Sequence, residues 1–317
     1  MKKNNMQGEI ELKADFFKMK DVYLTASISV GYILLSVLLV GFKIDQLVLV
    51  FIFNSLYYLS RGTRKFIIGF SIFIVYWILY DYMKAFPNYL FSDVHIQSLY
   101  ELEKKLFGIH FHQMLLTPNE YWKLNSIAAL DVVTGFFYLM WVPVPLAFAT
   151  YLFFYNRQQF VYFALTFVWV NLLGFVVYYA FPAAPPWYVQ EHGFNFIAKT
   201  PGNTAGLVRF DHYFNINLFQ GIYSKGSNVF AAMPSLHSSY PVIVLYYGLK
   251  NKLGAINVFF LTVMVGIWFS AVYTSHHYIL DVLAGITCAT IGITTFNWLI
   301  KQKPVKQFCN NLIKSIT

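Results

Sequence analysis

The sequence predicts an all-α, polytopic membrane protein, a helical bundle with about eight transmembrane helices. Three observations predict it. Of 317 residues, 58% are hydrophobic and only 12% charged, with a mean hydropathy of +0.53. The apolar residues fall in runs close to the ~20 residues that a helix needs to cross a hydrocarbon core about 30 Å thick. The lysines and arginines gather on alternate connections between those runs. A chain this apolar cannot hide its surface within one water-soluble core.

The expected spans are 23–40, 46–60, 66–83, 127–155, 160–181, 235–249, 253–275 and 278–299, of which the second and sixth are short. None alternates apolar and polar residues at period two, which excludes the strands of a membrane barrel. The first 21 residues are polar and lack an apolar stretch ahead of a small-residue cleavage site, so the first span is expected to be retained. Cys288 lies in the last span and Cys309 in the tail, which gives neither a disulfide framework nor a metal-ligand spacing.

The net charge of +9 is a topology signal rather than a nucleic-acid signal. Threading eight spans puts 15 of the 23 lysines and arginines on the side of the two termini. They are five in the N-terminal tail, Arg61, Arg64, Lys65, Arg157, Lys250, Lys252 and four C-terminal lysines, set against only Glu9, Glu11, Asp15 and Asp21. An excess of cations marks the cytoplasmic face. Both termini are therefore expected in the cytoplasm, and no nucleic-acid partner is expected.

Two long connections then fall on the opposite side. In 84–126, Ile96, Leu99, Glu103 and Leu106 recur at three-to-four spacing, predicting a helix that lies in the interface plane. Thr117-Pro118-Asn119-Glu120 reads as a capping box with proline at the first helical position, expected to open the helix that leads into the fourth span. The second connection, 182–233, is rich in Gly, Pro and Asn, and long loops of this kind on a rigid scaffold frequently carry function.

The chemistry concentrates at two helix starts on that same side. His277 and Asp281, at i and i+4, share a helix face, so the carboxylate can accept from one ring nitrogen and leave the other nucleophilic. An ionised Asp281 in the first turns of an apolar span is costly without such a partner. A carboxylate satisfied by the helix dipole and water is the plain alternative. His276 lies off that face and reads as a substrate contact. In Pro234-Ser235-Leu236-His237, the first N–H groups of a helix can bind an anion, Ser235 can cap or donate to phosphate, and His237 can protonate a leaving oxygen. Together the two segments form a site for phosphoryl transfer without a metal.

These two segments resemble the second and third signature motifs of the type-2 phosphatidic acid phosphatase superfamily, Pro-Ser-Gly-His and Ser-Arg-x5-His-x3-Asp. The chain departs at Leu236, in place of glycine, and at Ser270-Ala271, where Ser-Arg is usual. Phosphate must then be held by other cations, and Arg209 and Lys225 are available on the same side. Within the superfamily the chain is similar to the inositol phosphorylceramide synthase branch, the target of aureobasidin A in fungi. Phe181-Pro182-Ala183-Ala184-Pro185-Pro186-Trp187-Tyr188, Ala232-Met233-Pro234-Ser235-Leu236-His237-Ser238 and Thr274-Ser275-His276-His277-Tyr278-Ile279-Leu280-Asp281 carry that resemblance. Tyr80-Asp81-Tyr82-Met83-Lys84 resembles a Tyr-Asp-x-x-Arg element of the branch, with Lys84 in place of arginine.

The resemblance implies three divisions: residues 1–65 with two peripheral helices, a six-helix catalytic core over 66–300, and a basic tail over 301–317. It implies transfer of inositol phosphate from phosphatidylinositol to ceramide through a phosphohistidine, with His277 as nucleophile, Asp281 orienting it and His237 as acid and base. Substrate contacts are expected from Arg209, Ser235, Lys225, His276, Lys84, Asp81, Trp187 and Tyr273; no cofactor or metal is expected. The expected setting is a bacterial inner membrane with the site on its extracytoplasmic side, or the Golgi lumen side in a eukaryote. Two alternatives stand beside it, the first using the same residues. One is a lipid phosphate or polyprenyl diphosphate phosphatase, with water as acceptor. The other is a transporter or scaffold in which Asp81, Asp131, Asn171 and Asp281 line a pathway.

Overall fold

The computed structural model describes residues 18–224 and 228–317, and Lys225 lies outside them. It is helical nearly throughout and forms two compact units, 1–85 with 310–317 and 86–309.

The first unit is built on α1 (Met19–Val40), α2 (Ile44–Leu59) and α3 (Arg61–Tyr82). Their few polar residues find one another. Thr25 meets Tyr58 at 2.7 Å, Ser36 meets Tyr82 at 2.9 Å and Asn54 donates to Ser29 at 2.9 Å. An unpaired polar group in hydrocarbon costs several kcal/mol, so such pairing is expected of helices that sit in a membrane. Asp81, on α3, forms an ion pair at 2.8 Å with Lys84 one turn later and a second at 3.7 Å with Lys43.

The second unit opens with short elements: α4 (Gln97–Phe107), a hairpin of β1 (Ile109–Phe111) and β2 (Met114–Leu116), and α5 (Pro118–Leu124). The helix read from Ile96, Leu99, Glu103 and Leu106 is α4; Leu99 and Glu103 are buried and Leu106 is exposed. The capping box also forms, Glu120 accepting from the Thr117 N–H at 2.7 Å. It does not lead into the fourth span. α5 stops at Asn125, whose side chain turns back to the Tyr121 carbonyl at 2.9 Å, and a new helix begins at Ala128. Asn125 itself, with φ of −117° and ψ of +33°, has left the helical conformation.

The apolar bundle follows: α6 (Ala128–Leu139), α7 (Pro143–Tyr155), α8 (Arg157–Ala180), then after the second loop α12 (Leu236–Lys250), α13 (Ile256–Tyr273) and α14 (Ile279–Leu299). The loop itself carries α9 (Pro186–His192), α10 (Val208–Phe214) and α11 (Leu218–Tyr223), and α15 (Lys303–Ile316) ends the chain. Among the described residues six helices are long and apolar enough to cross a membrane: Met19–Val40, Arg61–Ala85, Ala128–Tyr155, Arg157–Ala180, Ile256–Tyr273 and Ile279–Leu299. The two spans expected to be short are short, α2 with 16 residues and α12 with 15. The chain is a multi-pass membrane protein.

Two glycines set how closely the helices around α12 approach. A Cβ on Gly285 of α14 would stand 2.2 Å from the Ser235 carbonyl oxygen, and one on Gly174 of α8 would stand 2.7 Å from the Leu236 side chain. The leucine that replaces the motif glycine therefore sits in a recess left by a glycine on another helix. Gly285→Val is expected to cost about 3 kcal/mol by overpacking, read as a lower melting temperature in detergent. Gly221→Ala, where a Cβ meets nothing within 4 Å, is the silent control.

Candidate active site

The site is built where three helix ends converge. At the end of α13 the backbone reverses through Ser275, which takes φ of +60°, and the N–H groups of both His276 and His277 return to the Ala271 carbonyl at 3.0 Å. A left-handed residue just past a helix end is a common way to satisfy its last carbonyls. Asn119 of α5 secures the turn from outside, its side chain donating to the Val272 carbonyl at 2.8 Å and the His277 carbonyl at 2.9 Å. Ser235 begins α12 as its cap, accepting from the Ser238 hydroxyl at 2.9 Å, and its own N–H donates to the Asp281 carbonyl at 2.9 Å. The two motifs are thus joined through the backbone as well as through their histidines.

His237 Nδ1 lies 3.3 Å from His277 Nε2 and 3.2 Å from the Tyr138 hydroxyl of α6. On its other edge His277 Nδ1 faces the Ala232 carbonyl at 3.0 Å and Asp281 Oδ2 at 3.7 Å. A carbonyl only accepts, so this contact puts the His277 proton on Nδ1 and leaves the Nε2 lone pair toward His237. The carboxyl group expected to orient the ring stands beyond hydrogen-bond distance; a backbone carbonyl sets the tautomer, and Asp281 lies alongside. Asp281 Oδ2 also accepts from the Tyr278 N–H at 2.7 Å. Burial holds the His277 ring down to about pKa 4, against the opposing pull of the Ala232 carbonyl. At neutral pH the ring is uncharged.

His276 is buried with its Nδ1 3.0 Å from the Thr274 hydroxyl, between the rings of Tyr138 and Tyr223 at 5.1 and 4.7 Å. Burial, and then the neighbouring His277, push its pKa well below the usual histidine value. His237 is half-buried, beside the Trp141 ring at 4.5 Å, and forms the approachable wall of the site.

Arg209 enters from α10. Its Nε donates to Asp131 Oδ1 at 2.5 Å, the same oxygen accepts from the Tyr273 hydroxyl at 2.8 Å, and the guanidinium lies 5.2 Å from the Tyr273 ring centre. Its Nη2 is buried with no hydrogen-bond partner among the described residues. The turn before α10 is bonded to the third motif, Gly206 N–H to the Thr274 carbonyl at 2.9 Å. Asp131 thus has a partner, and so does Asn171, which accepts from Tyr240 of α12 at 2.7 Å. Asp131→Asn weakens a charge-assisted bond worth about 1.5–3 kcal/mol. It is expected to raise the KM for an anionic lipid donor about tenfold with a smaller change in kcat, measured in mixed micelles.

The sequence-predicted residues divide by location. His237, His277, Asp281, Ser235 and His276 come together, and Arg209 with Tyr273 joins them through the Thr274 turn. Trp187 is buried among Ile96, Ala184, Tyr188 and Phe230, and its backbone N–H donates to the Ser275 carbonyl at 3.0 Å. Asp81 and Lys84 pair with each other in the first unit. Tyr138, Trp141, Asn119 and Glu103 were missed. Tyr138 follows Asp131 by seven residues, two helical turns, and that stripe of polar groups in an apolar span was the available signal. Among the described residues no group of three or more His, Cys, Asp or Glu could hold a metal ion.

The profile of the PAP2 superfamily matches residues 97–295, which hold His237, His277, Asp281, Ser235, His276, Arg209 and Tyr273. The chain belongs to the PAP2 superfamily. Within it, the chain is 42% identical over 280 residues to the phosphoinositol dihydroceramide synthase of Bacteroides thetaiotaomicron, covering 87% of this chain and 92% of the relative. It is 29% identical over 257 residues to the inositol phosphorylceramide synthase catalytic subunit of Saccharomyces cerevisiae, covering 74% of this chain and 59% of that one. The corresponding Schizosaccharomyces pombe subunit is 25% identical over 231 residues, covering 70% and 51%. No solved structure matches the chain. The resemblance to the inositol phosphorylceramide synthase branch holds, and this PAP2 protein is a lipid-active enzyme of the synthase kind.

The family's missing arginine has a structural counterpart. Ala271 is fully buried with Tyr138, Leu207 and Phe210, a setting with no space for a guanidinium.

Proposed function

We propose that this protein moves inositol phosphate from phosphatidylinositol to ceramide or dihydroceramide, releasing diacylglycerol. The observation that carries the reading is the 3.3 Å approach of His237 to the lone-pair nitrogen of a tautomer-fixed His277. His277 Nε2 attacks phosphorus, and the N–P bond forms as the bond to the diacylglycerol oxygen breaks. Asp281 offsets the positive charge that develops on the attacking ring. His237 must gain a second ring proton as the anionic phosphodiester binds, and it gives that proton to the departing oxygen. It takes a proton back from the primary hydroxyl of the acceptor as that oxygen attacks the phosphohistidine, so the cycle closes with no net change in protons. Arg209, Ser235 and the first amides of α12 hold the transferring group, joined by Lys225 from outside the described residues.

In this reading the six-helix core over 66–300 is the catalytic body. Both termini lie in the cytoplasm of a bacterium and the site opens on the extracytoplasmic side, supported by the one-sided distribution of cations. A phosphatase with water as acceptor is not favoured, because the relatives named above are synthases. The test is mass spectrometry of products after purified protein meets phosphatidylinositol and dihydroceramide in detergent. Inositol phosphoryl-dihydroceramide with equimolar diacylglycerol supports the transfer; free inositol phosphate without a ceramide product overturns it.

A further inference from the structure

Glu103 is fully buried, on a helix that carries no signature motif. Its two carboxylate oxygens accept from the N–H groups of Ile279 at 2.9 Å and Leu280 at 3.1 Å, the first two residues of α14. Asp281 follows immediately, and its Oδ2 takes the Tyr278 N–H while facing His277. We propose that Glu103 is a positioning residue for the reaction, holding the first turn of α14 so that the Asp281 carboxylate stays on His277. This rests on His277 being the nucleophile.

The argument is one of competition for donors. The opening N–H groups of a helix must be satisfied, and the third residue of a helix readily supplies its own carboxylate to them. Asp281 is that residue. Without an outside acceptor, Ile279 and Leu280 would recruit Asp281 and turn it from the histidine. Glu103 satisfies both groups from 176 residues away and leaves Asp281 Oδ2 for Tyr278 N–H and the ring.

The cap is sensitive to pH. Burial raises the Glu103 pKa to about 7, the two N–H bonds lower it, and the charge of Asp281 raises it further. The titratable groups around it are Asp281 on α14 and Tyr278 just before it, with Tyr100 of its own helix and Glu120 of α5 facing the same Tyr278. The ionised carboxylate accepts both bonds and the protonated one gives up an acceptor. Turnover is therefore expected to fall as pH drops through about 7, a limb His277 cannot supply because its own titration lies near 4. Stability runs the other way. A carboxyl whose folded pKa is raised above its ordinary 4.5 favours the fold at low pH and loses that contribution as pH rises toward 7.

Glu103→Gln separates these effects. Its carboxamide keeps one acceptor and turns a donor toward the second N–H. In mixed micelles of phosphatidylinositol and dihydroceramide, kcat is expected to fall by about 10²-fold, as for a small misplacement of a reacting group, with KM little changed and the limb near pH 7 gone. Wild-type kcat in the variant, or a wild-type profile without that limb, overturns the proposal. Even if the variant does not fold, a wild-type profile that stays flat through pH 7 overturns the proposal. Should the wild type make no product, the proposed reaction has failed, and melting temperature still tests the cap. The wild type must lose stability relative to Glu103→Gln as pH rises from about 4.5 to 7, and a constant difference overturns it.

Discussion

His277→Ala is expected to abolish product formation, by about 10⁴-fold or more, because it removes the nitrogen proposed to attack phosphorus. His276, its neighbour, points elsewhere, with Nδ1 engaged by Thr274. Binding should survive, since the proposed contacts to phosphate come from Arg209 and the start of α12. The decisive measurement has two parts. With phosphatidylinositol labelled at phosphorus and no acceptor, the wild type should accumulate label that resists alkali and is lost in acid, on the peptide containing His277. The variant should carry none yet retain the labelled lipid to within about threefold in a binding assay, the signature of an interaction made in the transition state alone. Label found on any other residue sinks the assignment.

His237→Ala is expected to reduce turnover by about 10²–10⁴-fold, the usual worth of a positioned acid or base. Its role divides between the two halves of the reaction, which makes the effect separable. A donor with a good leaving group, such as a nitrophenyl ester of inositol phosphate, needs no proton on departure. The variant should therefore regain formation of the phosphohistidine with that donor while remaining slow to pass the group to dihydroceramide. Equal loss in both halves would assign His237 to holding phosphate instead. Tyr138, 3.2 Å from the same nitrogen, should act through His237. Tyr138→Phe is expected to cost a few-fold in the wild type and nothing further in His237→Ala, the non-additivity of residues acting as one unit.

The membrane fold and the two histidine motifs were legible because each is written locally. Apolar runs announce helices, and His277 with Asp281 four residues on announces a shared face. What was illegible is carried by backbone atoms and by distant side chains. Nothing at position 232 marks the Ala232 carbonyl as the acceptor that fixes the His277 tautomer, since any residue presents the same oxygen. Asn119 was read as part of a capping box, correctly for Thr117 and Glu120, yet its own side chain serves a turn 153 residues away. Glu103 was recognised only as a helical position among charges; its partners are two N–H groups that the sequence cannot display. Asp131 and Arg209 were each noted, but the ion pair joining them spans 78 residues and needed the fold.

Leu236 and Gly174 illustrate what such contacts mean over evolutionary time. Because the leucine side chain occupies the recess over Gly174, a change at either position constrains the other. Returning Leu236 alone to the glycine usual in the superfamily would open a cavity beside His237, and enlarging Gly174 alone would drive the leucine into its neighbours. A lineage could exchange the pair through a small residue at both sites and through few other routes. The departure from Pro-Ser-Gly-His is thus answered in this chain by a glycine 62 residues upstream of the motif it alters.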